Sequence, residues 1–222
     1  MSEENNEIEM YDFEIFGLIK EAFNRSDGVK WFFIASIFAY GVVAFIVNVI
    51  LGFIFGAEGA IADNAKSLLS MPVLVPIMLG IVMLAIKHVR GKALELQSIF
   101  DYFVIVWPLV FATVAMYIMM AIGFLLLILP GIYLAVAYKF TLPLMADKNL
   151  GIWEAMERSR RTVHKRWFKF FGLDISLFII VIISAIPFGI GLIWTIPLAF
   201  ITHALLYHHL FDDDEGVIEE AN

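Results

Sequence analysis

Residues 154–171 read EAMERSRRTVHKRWFKFF, and residues 21–33 have already read EAFNRSDGVKWFF. Glu21-Ala22-Phe23-Asn24-Arg25-Ser26 corresponds to Glu154-Ala155-Met156-Glu157-Arg158-Ser159, and Trp31-Phe32 to Trp167-Phe168, with three extra residues in the second copy. Each passage runs directly into a long apolar stretch. A basic, helix-forming segment placed ahead of roughly 20 apolar residues is the pattern of a chain entering a bilayer. That reading decides the fold class: all-α, a polytopic membrane helical bundle.

Composition agrees. Of 222 residues, 61% are hydrophobic and only 17% charged, against about 25% charged in soluble domains. A soluble fold of this length has too little interior to hide that surface, so lipid is the expected solvent. Six apolar runs are marked at 31–55, 69–86, 104–129, 132–146, 168–186 and 190–210. They are expected as six spans in three hairpins. Helix-breaking turns are expected at Pro130 and Gly131, and again at Pro187 and Gly189. A longer connection, GAEGAIADNAKS at 56–67, joins the first pair. Amphipathic cytoplasmic helices are expected at 13–26, 92–103 and 150–167, one before each hairpin, so the chain reads as three related units. Acidic, mobile tails are expected at 1–12 and 212–222, flanking a single membrane domain at 13–211.

Charge distribution sets the expected orientation. Thirteen of the fifteen Lys and Arg residues fall before the first span, between the second and third, or between the fourth and fifth. The positive-inside rule then puts both termini in the cytoplasm, in a prokaryotic inner membrane. Six acids precede Phe16, so the start does not read as a cleavable signal peptide, and the first span is expected to act as its own insertion signal. The net charge of −7 and the lack of a recognisable binding module argue against nucleic acid as a partner.

In the helix at 150–167, Ile152, Met156, Val163 and Trp167 share one side, and Asn149 is the expected cap. Early glutamates and late basic residues suit the helix dipole. Arg158, Arg160, Arg161, Lys165 and Arg166 are candidate contacts for anionic lipid headgroups, unless the helix simply packs on the cytoplasmic end of the bundle. In the first copy Ile15, Phe16, Ile19, Ala22 and Phe23 form the equivalent apolar stripe.

The run from Leu129 to Phe171, LPGIYLAVAYKFTLPLMADKNLGIWEAMERSRRTVHKRWFKFF, resembles a broad group of uncharacterised prokaryotic integral membrane proteins. The group includes YciC-like proteins and the membrane domain fused to some glycerophosphodiester phosphodiesterases. The likeness extends over most of residues 80–211. It implies the membrane fold and carries no activity, since no hydrolase domain accompanies it here.

Chemistry-bearing motifs are sparse. There is no cysteine, which excludes disulfides and thiolate sites. His88, His164, His203, His208 and His209 form no His pair at i, i+4, and no P-loop, nucleophile elbow or paired catalytic carboxylates occur. No catalytic residue, cofactor or metal ligand is therefore expected. Two charges fall inside apolar runs, Lys139 and Asp174. Each lies six or seven residues from a cytoplasmic end, roughly 10 Å deep. Either they form an intramembrane ion pair, or Lys139 snorkels and Asp174 sits at the interface. The functional expectation is a non-enzymatic membrane protein that organises or regulates membrane components through its basic helices. Its partners would be the bilayer, a second protein or a second copy of itself. The alternative is a small-molecule or ion transporter or channel using a polar site near Lys139 and Asp174. A cavity reaching Lys139 would favour that alternative, and a solid apolar bundle the organising role.

Overall fold

The computed structural model describes residues 13–56, 59–186 and 188–212. Every regular element among them is helical. The expected tail at 1–12, the expected tail at 212–222 beyond Asp212, and Pro187 lie outside the described residues. Five helical segments are long and apolar enough to cross a membrane: Lys30–Phe55, Ala62–Val89, Leu96–Leu126, Ile128–Asp147 and Trp167–Ala185. Large apolar side chains along them face outward, among them Phe38, Phe45, Phe53 and Phe178. That exposure would be a liability in water and is ordinary in lipid.

The chain divides into two compact units. The described residues of the first are 13–30, 85–93, 168–186 and 188–212. Its helices are α1 (Ile15–Ser26), α8 (Trp167–Ala185) and α9 (Leu192–Phe211), with the end of α3 (Ala60–Val89). α1 packs on α9. The spacing Leu18, Ala22, Ser26 puts these three on the buried side of α1, and Phe13 meets Phe170 edge to face at 5.4 Å. The expected apolar stripe is thereby split, because Phe16 and Phe23 face outward. Between α8 and α9 the described residues 188–190 form turns. Phe188 and Gly189 have positive φ, 54° and 76°, and Ser184 and Thr195 hydroxyls lie 2.7 Å apart across them. Arg90 grips Asp212 with two bonds of 2.7 and 2.6 Å and lies over the Tyr207 ring. Asp212 therefore belongs to the fold rather than to the tail expected to begin there.

The second unit holds residues 31–84 and 94–167, of which 57 and 58 are not described. It contains α2 (Lys30–Phe55), most of α3, a 3-10 helix at Leu96–Ile105, α4 (Val106–Leu126), α5 (Ile128–Ala137), α6 (Thr141–Asp147) and α7 (Ile152–His164). α4 pairs with α5, and α7 packs against α4, α5 and α6. Gly80 allows α3 to approach the 3-10 helix, since a Cβ there would run into the Ile99 carbonyl. Where α4 meets α5, a Cβ on Gly123 would come within 3.0–3.1 Å of the Gly131 backbone.

Several boundaries depart from the sequence expectation. Residues 60–67 are helical, so α3 starts well before 69. The 92–103 segment forms a 3-10 helix over Leu96–Ile105 rather than an amphipathic α-helix. The turn expected at Pro130 and Gly131 lies earlier, at extended Leu127 (φ −164°, ψ 152°). Pro130 is the third residue of α5. The first four N–H groups of a helix have no internal partner, so a proline there breaks no bond. Pro108 in α4 and Pro143 in α6 occupy the same position. Gly131 serves close packing instead, against the Phe124 ring. The fourth run is two helices interrupted at Tyr138–Phe140. Asn149 does not cap α7. It takes a left-handed conformation (φ 51°) after α6, which Asn tolerates, and extended Gly151 is the N-cap. Trp167 starts α8 rather than ending α7.

Candidate functional site

The break at Tyr138–Phe140 organises the candidate site. α7 returns antiparallel to α5 and α6, placing Ser159 beside the break and Trp167 beside Tyr133. The Ser159 hydroxyl donates to the Ala137 carbonyl at 2.7 Å and accepts from the Phe140 N–H at 3.2 Å. Ser159 and Ala155 are fully buried, so these small residues let α7 approach the interrupted backbone. Two groups orphaned by the break are satisfied by one side chain. This places the basic helix against α5 and α6.

Tyr138 and Lys139 of the break line a cavity of about 400 Å³. Leu74, Val75, Met78, Met116, Met120 and Leu142 give it a hydrocarbon wall, and Tyr40, Thr113, Tyr117, Tyr138 and Lys139 bring polar groups to it. Thr113 donates its hydroxyl proton to the Leu109 carbonyl at 2.8 Å, leaving its oxygen able to accept. The Lys139 ammonium lies 6.0 Å from the Phe140 ring centroid. Tyr138 packs with Met116 and Met156, so the wall of the cavity is continuous with the core that seats α7. The sequence showed Lys139 but gave no sign of the break that places it.

Asp174, in the first unit, has a partner the sequence did not name. Its Oδ1 lies 3.0 Å from His203 Nε2, joining α8 to α9. His203 Nδ1 lies 2.8 Å from the Ala199 carbonyl. A carbonyl only accepts, so Nδ1 carries a proton. Nε2 and the carboxylate must then share one more proton, held on either atom, because two facing lone pairs would repel. The pair is neutral as a unit in either form. That makes its place in an apolar helix tolerable. Lys139 and Asp174 belong to different units, and their expected pairing stays a proposal.

On α7 the five candidate basic residues are not equivalent. Glu157 receives two bonds of 2.8 Å from Arg160 and one of 2.6 Å from Arg161. These donors hold the Glu157 carboxyl down at about 2, and the carboxylate in turn raises the Arg160 guanidinium above its usual range. The Tyr133 hydroxyl, on α5, lies 2.8 Å from His164 Nδ1. Lys165 and Arg161 are exposed, and Arg158 and Arg166 are half-buried. Among the described residues no group of three His, Asp or Glu is arranged to hold a metal ion. Compared with protein-family models, curated proteins and solved structures, the chain matches none of them.

Proposed function

We propose that this is a multi-pass membrane protein of the binding and transport class, handling a small molecule through the cavity at Lys139. The carrying observation is that cavity. It has the size of small-molecule sites, about 300–1,000 Å³, and their make-up of mostly apolar walls with a few convergent polar groups. A charged side chain at span depth marks function by default. Proline-bearing, interrupted helices around a cavity are also how membrane proteins build such sites. The test compares native mass spectra of the purified protein and of an Ala135→Trp variant that fills the cavity. A small molecule retained by the first and missing from the second is expected. Equal retention would overturn the reading.

The topology belongs to the same proposal. α9 is 20 residues long, about 30 Å, and serves as a sixth span, which leaves both termini cytoplasmic in a prokaryotic inner membrane. The chain lacks cysteine, so a single Cys placed at Ala62 reports its own side. Labelling from outside is expected, and labelling only from the cytoplasm would reverse the topology.

A second reading, that the cytoplasmic helices organise membrane components, is favoured by one observation. Phe16, Lys20 and Phe23 of α1 all face outward at i, i+4 and i+7, an aromatic and basic face suited to the headgroup region. Arg161 and Lys165 of α7 offer charge for anionic headgroups in the same way. The three serines Ser26, Ser98 and Ser159, each buried beside a hairpin entry, support the reading of the chain as three related units.

A further inference from the structure

We propose that α2 is the interface between two copies of this chain, packed in parallel along Phe38, Gly41, Phe45, Asn48, Gly52 and Phe55. The inference does not depend on the cavity.

α2 presents an outward face that lipid alone does not suit. Beyond Ser36 no residue of α2 is buried within the chain. The six residues above recur at alternating spacings of three and four, so they form one seam along the helix. Gly52 is half-buried and the other five are exposed. Lipid tails accept the phenylalanines, but they do not suit Asn48. It lies seven residues before the end of α2, roughly 10 Å along the helix axis. One of its amide hydrogens goes to the Ala44 carbonyl of its own helix, at 3.0 Å. An amide has a second N–H and a carbonyl acceptor, and hydrocarbon answers neither.

A second copy answers both. Copies inserted the same way are related by a two-fold axis along the membrane normal, so each residue of the seam meets its own counterpart. An amide carries donor and acceptor together, so Asn48 is complementary to Asn48, each donating an N–H to the other's carbonyl. Shape is self-complementary as well. In a parallel pair the Phe45 ring enters a hole formed on the facing helix by Gly41, Ala44, Phe45 and Asn48. Gly41 and Ala44 leave room for that ring. A Cβ at Gly41 or Gly52 meets nothing within 4 Å among the described residues of its own chain, and small residues on a seam let two backbones approach. Phe38, Phe45 and Phe55 are 72%, 68% and 40% exposed. With Val42 and Val49 beside them, the seam offers roughly 500 Å² per copy. The pair then buries about 1,000 Å², which reaches the lower bound of a specific interface.

The chain lacks cysteine, so single-Cys variants of the full-length protein can be oxidised in native membranes with copper phenanthroline. Phe38→Cys and Phe55→Cys lie on the seam, while Ile46 and Ile50 are exposed on the same helix away from it. Disulfide-linked dimers are expected from the first two and not from Ile46→Cys or Ile50→Cys. Equal yields at all four positions, or a product whose mass is not that of two copies, would overturn the proposal. The second measurement is the dimer dissociation constant, by sedimentation in mild detergent. Asn48→Leu should raise it about ten-fold, the usual size of two intramembrane hydrogen bonds. Gly41→Leu should raise it at least as much while keeping the wild-type circular dichroism spectrum, because its own chain leaves that space open. Wild-type dissociation constants in both variants would sink the assignment of the seam.

Discussion

The two copies of the Glu-Ala…Arg-Ser passage use the same residues for different purposes. In α1, Ala22 and Ser26 are buried, and the Ser26 hydroxyl donates back to Phe23 within its own helix at 2.7 Å. In α7, Ala155 and Ser159 are buried at the matching positions, and Ser159 bonds both sides of a break in another helix. The charges differ likewise. Arg25 reaches Glu21 at 2.9 Å and the Val89 carbonyl at 3.3 Å, while Glu157 gathers two arginines on its own helix. A shared small-residue face sets how closely a helix packs. What it packs against decides whether its serine is a local ornament or a structural tie.

The sharpest way to break this comparison is to remove both hydroxyls. Ser159→Ala strands the Ala137 carbonyl and the Phe140 N–H in a buried site, and each unmet group costs about 1–3 kcal/mol. A loss of roughly 2–4 kcal/mol in unfolding free energy, read as a lowered melting temperature in detergent, is expected. Ser26→Ala removes one local bond and should cost about 1 kcal/mol or less. Equal losses would mean that the two serines do the same work.

In the first unit the long-range polar tie comes from elsewhere, the Asp174–His203 contact. Asp174→Leu and His203→Leu should each cost about 1–3 kcal/mol, reduced by their partial exposure. The double variant should lose less than the sum, because neither group is then left stranded. Running the same cycle with Lys139→Leu and Asp174→Leu tests the pairing expected from sequence. Strict additivity there would show that Lys139 and Asp174 do not meet.

How far the sequence could be read follows from the range of each interaction. Apolar length and charge bias are local, and the apolar runs at 31–55, 104–129 and 168–186 match helices to within about three residues. Pro130 misled because proline ends a helix it interrupts but fits the first turn of one it begins, and the two cases differ only in where the preceding helix stops. The interruption at Tyr138–Phe140 carries no Gly or Pro inside it. It is stabilised by Ser159, which lies 19 positions beyond Phe140. The Asp174–His203 pair spans 29 positions, and the cavity is assembled from α2 to α6. None of these has a period or a motif to betray it.

The outward faces of the two copies can be compared through lipid. Replacing Arg158, Arg161 and Lys165 together with Gln in the full-length protein should lower its retention of anionic phospholipid. Each basic residue near an anionic surface is worth about 1 kcal/mol. Arg161 is already engaged by Glu157, so a loss of roughly ten-fold in affinity, shrinking at high salt, is expected. Lys20→Gln in α1 should give a smaller loss. The reverse order would make α1 the principal lipid-facing helix.

The smallest effect concerns Glu157 itself. Its carboxyl is held at about 2, chiefly by the hydrogen bonds from Arg160 and Arg161. A carboxyl with a depressed native value adds stability that is fully present above its unfolded value, near 4.5. That contribution is lost as pH falls toward 2. The difference in melting temperature between wild type and Glu157→Gln should therefore be constant from neutral pH down to about 5. It should narrow progressively below that, as the unfolded carboxyl and then the native one take up protons. The site is solvent-accessible and its partners lie on the same helix, so water and salt screen the gain, and the whole difference should be a degree or two. A difference that persists unchanged to pH 3 would mean that the Glu157 side chain matters for its shape rather than its charge. The two-arginine clamp that distinguishes α7 from α1 would then be a consequence of crowded basic residues and not a stabilising device.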